Sequence, residues 1–121
     1  MALSLSRQDK GNLAERTAEK YLRKQGLKLV QRNFSGRYGE IDLIMLDQQI
    51  LVFIEVRSRN NDQFGSALET IDSRKQAKLI KTAELYLSKN KTKANCRFDT
   101  VDFTGDITVS NLRWIPNAFS A

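Results

Sequence analysis

Asp42 and Glu55 are the residues of this chain whose type and spacing most directly suggest chemistry. They lie within two apolar runs, residues 41–46 (IDLIML) and 50–56 (ILVFIEV), which have the length and β-branched content of buried strands. Only Asp47-Gln48-Gln49 separates the runs, which predicts an antiparallel hairpin. With the turn centred on Gln48 and Gln49, the numbers of facing residues sum to 97, so Asp42 faces Glu55 and Glu40 faces Arg57. Facing side chains in a hairpin have Cβ atoms roughly 4.5–5.5 Å apart, and two carboxylates at that distance beside an apolar face repel. A divalent cation that prefers hard oxygen ligands, such as magnesium, relieves the repulsion. Two alternatives stay open. Both faces of the hairpin are apolar, so a slip of one residue would send the two acids to opposite faces. Glu40 and Arg57 also read as an ordinary cross-strand ion pair.

The 121-residue chain carries a net charge of +6 with a pI near 9.7. That length suits one domain burying roughly two-thirds of its unfolded surface, and the charge favours a polyanionic partner. The chain has no histidine, which excludes Ser-His-Asp and Cys-His catalysis, histidine-ligated zinc and nucleases with a histidine base. Its single cysteine, Cys96, excludes an intramolecular disulfide and a Cys-rich zinc site, and is expected as a small buried strand residue in a reducing compartment. With neither a signal-like apolar leader nor a membrane-length apolar run, the expectation is a soluble cytoplasmic protein. Any enzyme here works with carboxylates, Lys and Arg, hydroxyls and a metal.

The elements that must position these groups follow in order. Residues 1–7 lack periodicity and read as a loose end. Residues 8–25 are helical, with Gly11, Ala14, Ala18, Tyr21, Leu22 and Gln25 on one face opposite Arg16, Lys20 and Arg23, and Gly26 as the stop. Glu15 sits at the margin of the apolar face, within reach of a sheet, whereas Glu19 points further outward. Residues 27–34 form a first strand. The basic turn 35–39 carries Arg37, and a polar loop from 58 to 63 beside the carboxylates carries Arg59. Phe64-Gly65 leads into a long helical region that restarts at Asp72 as an N-cap. On it Leu79, Ile80, Ala83, Tyr86 and Leu87 form an apolar stripe, and Arg74, Lys78 and Lys81 recur on another face. Residues 74–97 hold eight Lys/Arg and one acid, Glu84, a net +7 against +6 for the whole chain, so the positive charge is concentrated here. Such a run is a solvated helix face or, beside clustered acids, a surface for a phosphate backbone. A strand over 97–103 follows, then a Gly105-Asp106 turn and a last strand over 107–115 ended by Pro116.

Helix, three strands, helix, strand, with acids on the first helix and on the second and third strands, resembles the PD-(D/E)XK nuclease superfamily. More closely, residues 11–119 resemble the YraN-like family of uncharacterised bacterial proteins, described as endonuclease- or Holliday junction resolvase-like. The likeness is carried by Gly11, Glu15, Ala18, Gly26, Asn33, residues 39–44 (GEIDLI), residues 52–57 (VFIEVR), Phe64-Gly65, Lys75 and residues 97–99 (RFD). It implies an α/β fold, one mixed sheet flanked by helices with a restriction-endonuclease-like αβββαβ core. It also implies that Asp42 and Glu55 are metal ligands, with Glu15 a further ligand directly or through water. Lys75 would lie near the phosphate or the attacking water. Position 57 departs from the superfamily, which usually has lysine there. Arg57 stays protonated and cannot be a general base, but it can neutralise charge on a scissile phosphate.

The expected function is therefore Mg²⁺- or Mn²⁺-dependent hydrolysis of phosphodiester bonds in DNA, branched DNA included. Glu15, Asp42, Glu55, Arg57 and Lys75 would be catalytic, and Arg37, Arg59, Arg74, Lys78 and Lys81 would bind the nucleic acid. Resolvase-like action on a four-way junction would need a homodimer. A non-catalytic nucleic-acid-binding module on a nuclease scaffold, or a protein-interaction module using the basic helix, are the alternatives.

Overall fold

The computed structural model describes residues 5–60 and 71–121. The elements run α1 (Arg7–Lys24), β1 (Lys28–Gly36), β2 (Gly39–Asp47), β3 (Ile50–Arg59), α2 (Ser73–Lys89), β4 (Cys96–Thr104) and β5 (Leu112–Phe119), with a short 3-10 turn at Val109–Asn111. The strands form one mixed sheet in chain order, β1-β2-β3-β4-β5. Every neighbouring pair is antiparallel except β3 and β4, the pair whose chain connection carries α2. This is the expected α/β architecture. Among the described residues no helix is long and apolar enough to cross a membrane.

Each helix covers one face of the sheet. Ala14, Ala18 and Leu22 of α1 pack on Leu43, Met45, Val52, Ile54, Val101 and Phe103. Leu79, Ala83 and Tyr86 of α2 pack on Phe34, Ile41, Ile44, Leu51, Phe53 and Phe98. The central strands β2 and β3 are buried on both sides, so they read as continuous apolar runs rather than alternating ones. Ser6 caps α1 by accepting from the Asp9 N–H at 3.0 Å, and Asp72 caps α2 by accepting from the Lys75 N–H at 2.9 Å. The N-cap expected at Asp72 is thus present, while Phe64-Gly65 lies outside the described residues.

Several boundaries differ from expectation for local reasons. The first helix begins at Arg7, inside the presumed loose end, because Ser6 supplies its cap. Gly36 pairs with Gly39, which narrows the 35–39 turn to Arg37-Tyr38. Gly39 has φ +141, a conformation that only glycine adopts readily, and a Cβ on Gly36 would meet Leu85 Cδ1 at 3.0 Å. The third strand runs on through Ser58 and Arg59 because β4 offers them parallel partners, Phe103 and Thr104. The last strand starts later and passes through Pro116 instead of stopping there. Because β5 is an edge strand, a missing N–H can face outward, and Asn117 (φ +54) turns its own N–H back to Asp99 Oδ1 at 2.8 Å. Cys96 is exposed rather than buried, since it is the first residue of β4 and lies beyond the core.

Asp99 is fully buried and ties the far end of the sheet together. Its carboxylate accepts from Trp114 Nε1 at 3.0 Å, from Asn117 N–H, and from Arg97 Nε at 3.0 Å, while Arg97 also reaches Asp47 at 2.9 Å. Removing one member of a buried charge pair leaves the others without partners. Asp99→Ala should therefore lower stability by about 3–5 kcal/mol in urea denaturation followed by circular dichroism.

Candidate functional site

In β2 and β3 the facing pairs are Leu43–Ile54, Ile44–Phe53, Met45–Val52, Leu46–Leu51 and Asp47–Ile50, the register whose numbers sum to 97. Regular pairing stops at Leu43. Ile41 belongs to the α2-side core and Leu43 to the α1-side core, although residues two apart in a regular strand share a face. The alternation therefore breaks at Asp42. The neighbouring strand breaks at the matching place. Asn33 lies between the Arg32–Leu43 and Phe34–Ile41 pairs with φ +51, so Arg32 reaches α1 while Phe34 enters the α2-side core. Asn is among the few side chains that tolerate this backbone. Past the break, the Val56 N–H donates to Asp42 Oδ2 at 2.8 Å, so a side chain replaces the ladder.

Acids converge on this opening. One carboxylate oxygen from each of Glu15, Glu40 and Asp42 lies within 4.8 Å of the others. Glu55, on the next strand, adds a fourth carboxylate beside Asp42 and is itself only 6% exposed. Burial, a hydrogen bond with Glu55 and the Glu55 charge push the Asp42 carboxyl up to about 9. Burial and the Glu40 charge raise Glu15 as well. The carboxylates have four visible restraints. Lys75 Nζ lies 2.5 Å from Glu55 Oε2, Val56 N–H holds Asp42, and Asn33 spans Glu15 and Glu40. With its amide nitrogen turned toward the acids, Asn33 donates to Glu15 Oε1 at 2.9 Å and to Glu40 Oε1 at 3.1 Å. Ser35 Oγ adds a hydrogen bond to Glu40 Oε2 at 3.3 Å.

The structure thus brings Glu15, Asp42, Glu55 and Lys75 together, and adds Glu40 and Asn33, to which the residue pattern assigned no metal or clamping role. An asparagine inside a strand was the available signal, since strands disfavour it. The expected Glu40–Arg57 pair is not formed. Arg57 instead donates from Nε and Nη2 to the two oxygens of Asp102, at 2.9 Å each, because β4 lies alongside at that level in register. Glu19, expected to point outward, is buried and clamped by Arg32 (Nε to Oε1, 2.6 Å) and Arg23 (Nε to Oε2, 3.0 Å). The hydrogen bonds from Arg32 are the main reason its carboxyl sits below the usual range.

Of the expected nucleic-acid contacts, Arg74 and Lys78 line a cleft of about 360 Å³ together with Lys75, Tyr38 and Glu40. Arg37 and Lys81 stand on the Tyr38 ring at its edge, each 5.1 Å from the centroid. Arg59, at the end of β3, is not among the residues lining this cleft.

An all-oxygen donor set with crowded charges fits a hard divalent cation better than a softer metal. Its pH signature follows from Asp42. The folded carboxyl titrates near 9 and the unfolded one near the ordinary 3.8. Between those values the native state holds a proton that the unfolded chain releases, so metal-free stability should fall as pH rises from about 4 to 9. Asp42→Asn should flatten that decline and raise Tm at pH 8 by about 5 °C, equivalent to about 1 kcal/mol in a domain of this size. A thermal-melt series in EDTA across pH checks it.

Comparison with known proteins identifies the family. Residues 14–103 match the model described as "Uncharacterised protein family UPF0102". A UPF0102 protein of Ectopseudomonas mendocina is 45% identical over 118 residues, covering 96% of this chain and 98% of its own. One from Nitrosococcus oceani is 48% identical over 113 residues, covering 92% and 91%. Another, from Colwellia psychrerythraea, is 44% identical over 121 residues, covering 98% and 94%. At that identity, over nearly the whole length of both partners, this chain belongs to the UPF0102 family.

Proposed function

We propose that this protein is a metal-dependent endonuclease of the PD-(D/E)XK type that hydrolyses phosphodiester bonds of DNA, branched DNA included. One observation carries the reading: Glu15, Glu40, Asp42 and Glu55 converge on a break in the sheet beside a basic cleft. Asp42, Glu55 and Glu15 would hold Mg²⁺ or Mn²⁺, with Glu40 joining them. Such an ion, when bound, polarises a phosphate and lowers the pKa of a bound water.

The chain's own residues account for the rest. Lys75 sits on Glu55 and would meet a phosphate oxygen or the attacking water. Arg57 lies two residues past Glu55 on the same strand and adds positive charge at that level, while its link to Asp102 fixes β3 against β4. Arg74, Lys75 and Lys78 occupy the first turns of α2, where the helix dipole disfavours cations; the helix's own first turn holds no acid, and of the three only Lys75, on Glu55, has an ion-pair partner among the described residues. Stability alone does not favour that placement. A phosphate backbone lying across the helix start would, since both the dipole and the side chains then attract it. The Arg57–Asp102 commitment also supports a second reading, a nucleic-acid-binding module that has lost cleavage.

The test is cleavage of duplex, single-stranded, flap and four-way DNAs with Mg²⁺ or Mn²⁺. Wild type should cut at least one of them, and Asp42→Asn should abolish cutting while retaining binding. Lys75→Ala should lose about 10²-fold, the scale of removing one transition-state donor. Arg57→Lys should keep activity. Arg57→Ala should lose about 10²–10³-fold in activity and also about 3 kcal/mol of stability, because Asp102 is left buried without the Arg57 guanidinium. If wild type and Arg57→Lys both bind DNA and cut none, the binding-module reading replaces the enzyme.

A further inference from the structure

The expected nucleic-acid contacts from α2 approach the acidic cluster from the sheet face that α2 covers. A second basic cleft approaches it from the other side. This cavity, of about 530 Å³ between α1 and the β1–β2 hairpin, is lined by Glu15 and Asn33 at one end and by Arg16, Lys20, Arg23 and Arg32 further along. Its acids do not cancel those cations. Glu19 is already matched by two arginines, and Glu15 belongs to the cluster itself. Arg23 and Arg32 remain more than half exposed while holding Glu19. Among the described residues Arg16 and Lys20 form no ion pair, and both also line the adjoining cavity of about 410 Å³ that runs past Tyr21 toward Thr108 and Val109.

The two clefts meet at the acids. Glu15 lines the α1-side cleft, Glu40 lines the α2-side cleft, and their carboxylates lie within 4.8 Å of each other through the Asn33 clamp. Cations on both sides of an acidic centre suit a polyanion that continues in both directions. They do not suit one whose terminus stops at the centre.

We propose that a polynucleotide backbone crosses the acidic cluster, with phosphates on one side of it held by Arg16 and Lys20 of α1 and those on the other side by Arg74 and Lys78 of α2. This rests on the nuclease-site reading above and adds to it a second strand-binding arm on α1.

The test is fluorescence anisotropy with a labelled 30-nucleotide DNA, duplex and single-stranded, across a salt series. An Asp42→Asn background keeps the DNA uncut. Each phosphate contact contributes about 0.9 to the slope of log K against log salt on duplex DNA. Arg16→Gln with Lys20→Gln should lower that slope by about 2, as should Arg74→Gln with Lys78→Gln, and all four together by about 4. Arg16→Lys, which keeps the charge, should leave the slope unchanged. Circular dichroism confirms that each variant folds. If the α1 pair leaves slope and affinity at the parent values while the α2 pair lowers both, the α1 arm is overturned and the nuclease-site reading stands. If the parent shows no salt-dependent binding, both are overturned.

Discussion

The break in strand alternation shared by Asn33 and Asp42 is the constraint on which the site depends. A regular sheet would bury Asp42 between two apolar neighbours with its backbone fully laddered. Instead β1 and β2 change face together, β2 parts from β3, and the freed Val56 N–H is taken by the Asp42 carboxylate. A single residue at positive φ accompanies the opening, and the β1–β2 pairing resumes beyond it at Phe34–Ile41. The same break sends Arg32 one way to clamp Glu19 and Phe34 the other way into the core. Packing and site geometry therefore share one cause.

That opening gathers charges which the fold alone would keep apart. Burial, followed by repulsion from neighbouring carboxylates, raises Asp42 and Glu15, and the Asn33, Val56 and Lys75 contacts hold the carboxylates near one another. The cluster is graded, from Glu55 beneath, through half-buried Asp42 and Glu15, to exposed Glu40. A buried end of that kind is rigid and poorly screened, and an exposed end lets a ligand enter.

The other buried charges act as braces. Arg57–Asp102 joins β3 to β4, and Arg97–Asp99 with Trp114 and Asn117 joins β4 to β5 and, through Asp47, to the β2–β3 turn. Such pairs add little net stability, yet they penalise any register that separates the partners. They keep β3, which carries Glu55, in place against the rest of the sheet.

Apolar patterning by itself determined the helices and the central hairpin, because burial of apolar side chains acts at short range and repeats along the chain, but with both faces of the hairpin apolar it left the register open. The short Asp47–Gln49 connection, with its turn centred on Gln48 and Gln49, gives the register in which Asp42 comes toward Glu55, and the ladder follows that register from Asp47–Ile50 to Leu43–Ile54. Charge count favours an anionic partner without establishing one, and the lack of histidine removed whole classes of chemistry. Tertiary structure decided the rest. Glu40 could join Glu15 and Asp42 only because Asn33 takes a left-handed backbone that no hydrophobic pattern encodes. Glu19 was buried by Arg32, thirteen residues away, and Arg57 was claimed by Asp102, forty-five away. Long polar side chains choose partners across space by geometry and charge, and that choice exists only once the sheet has assembled.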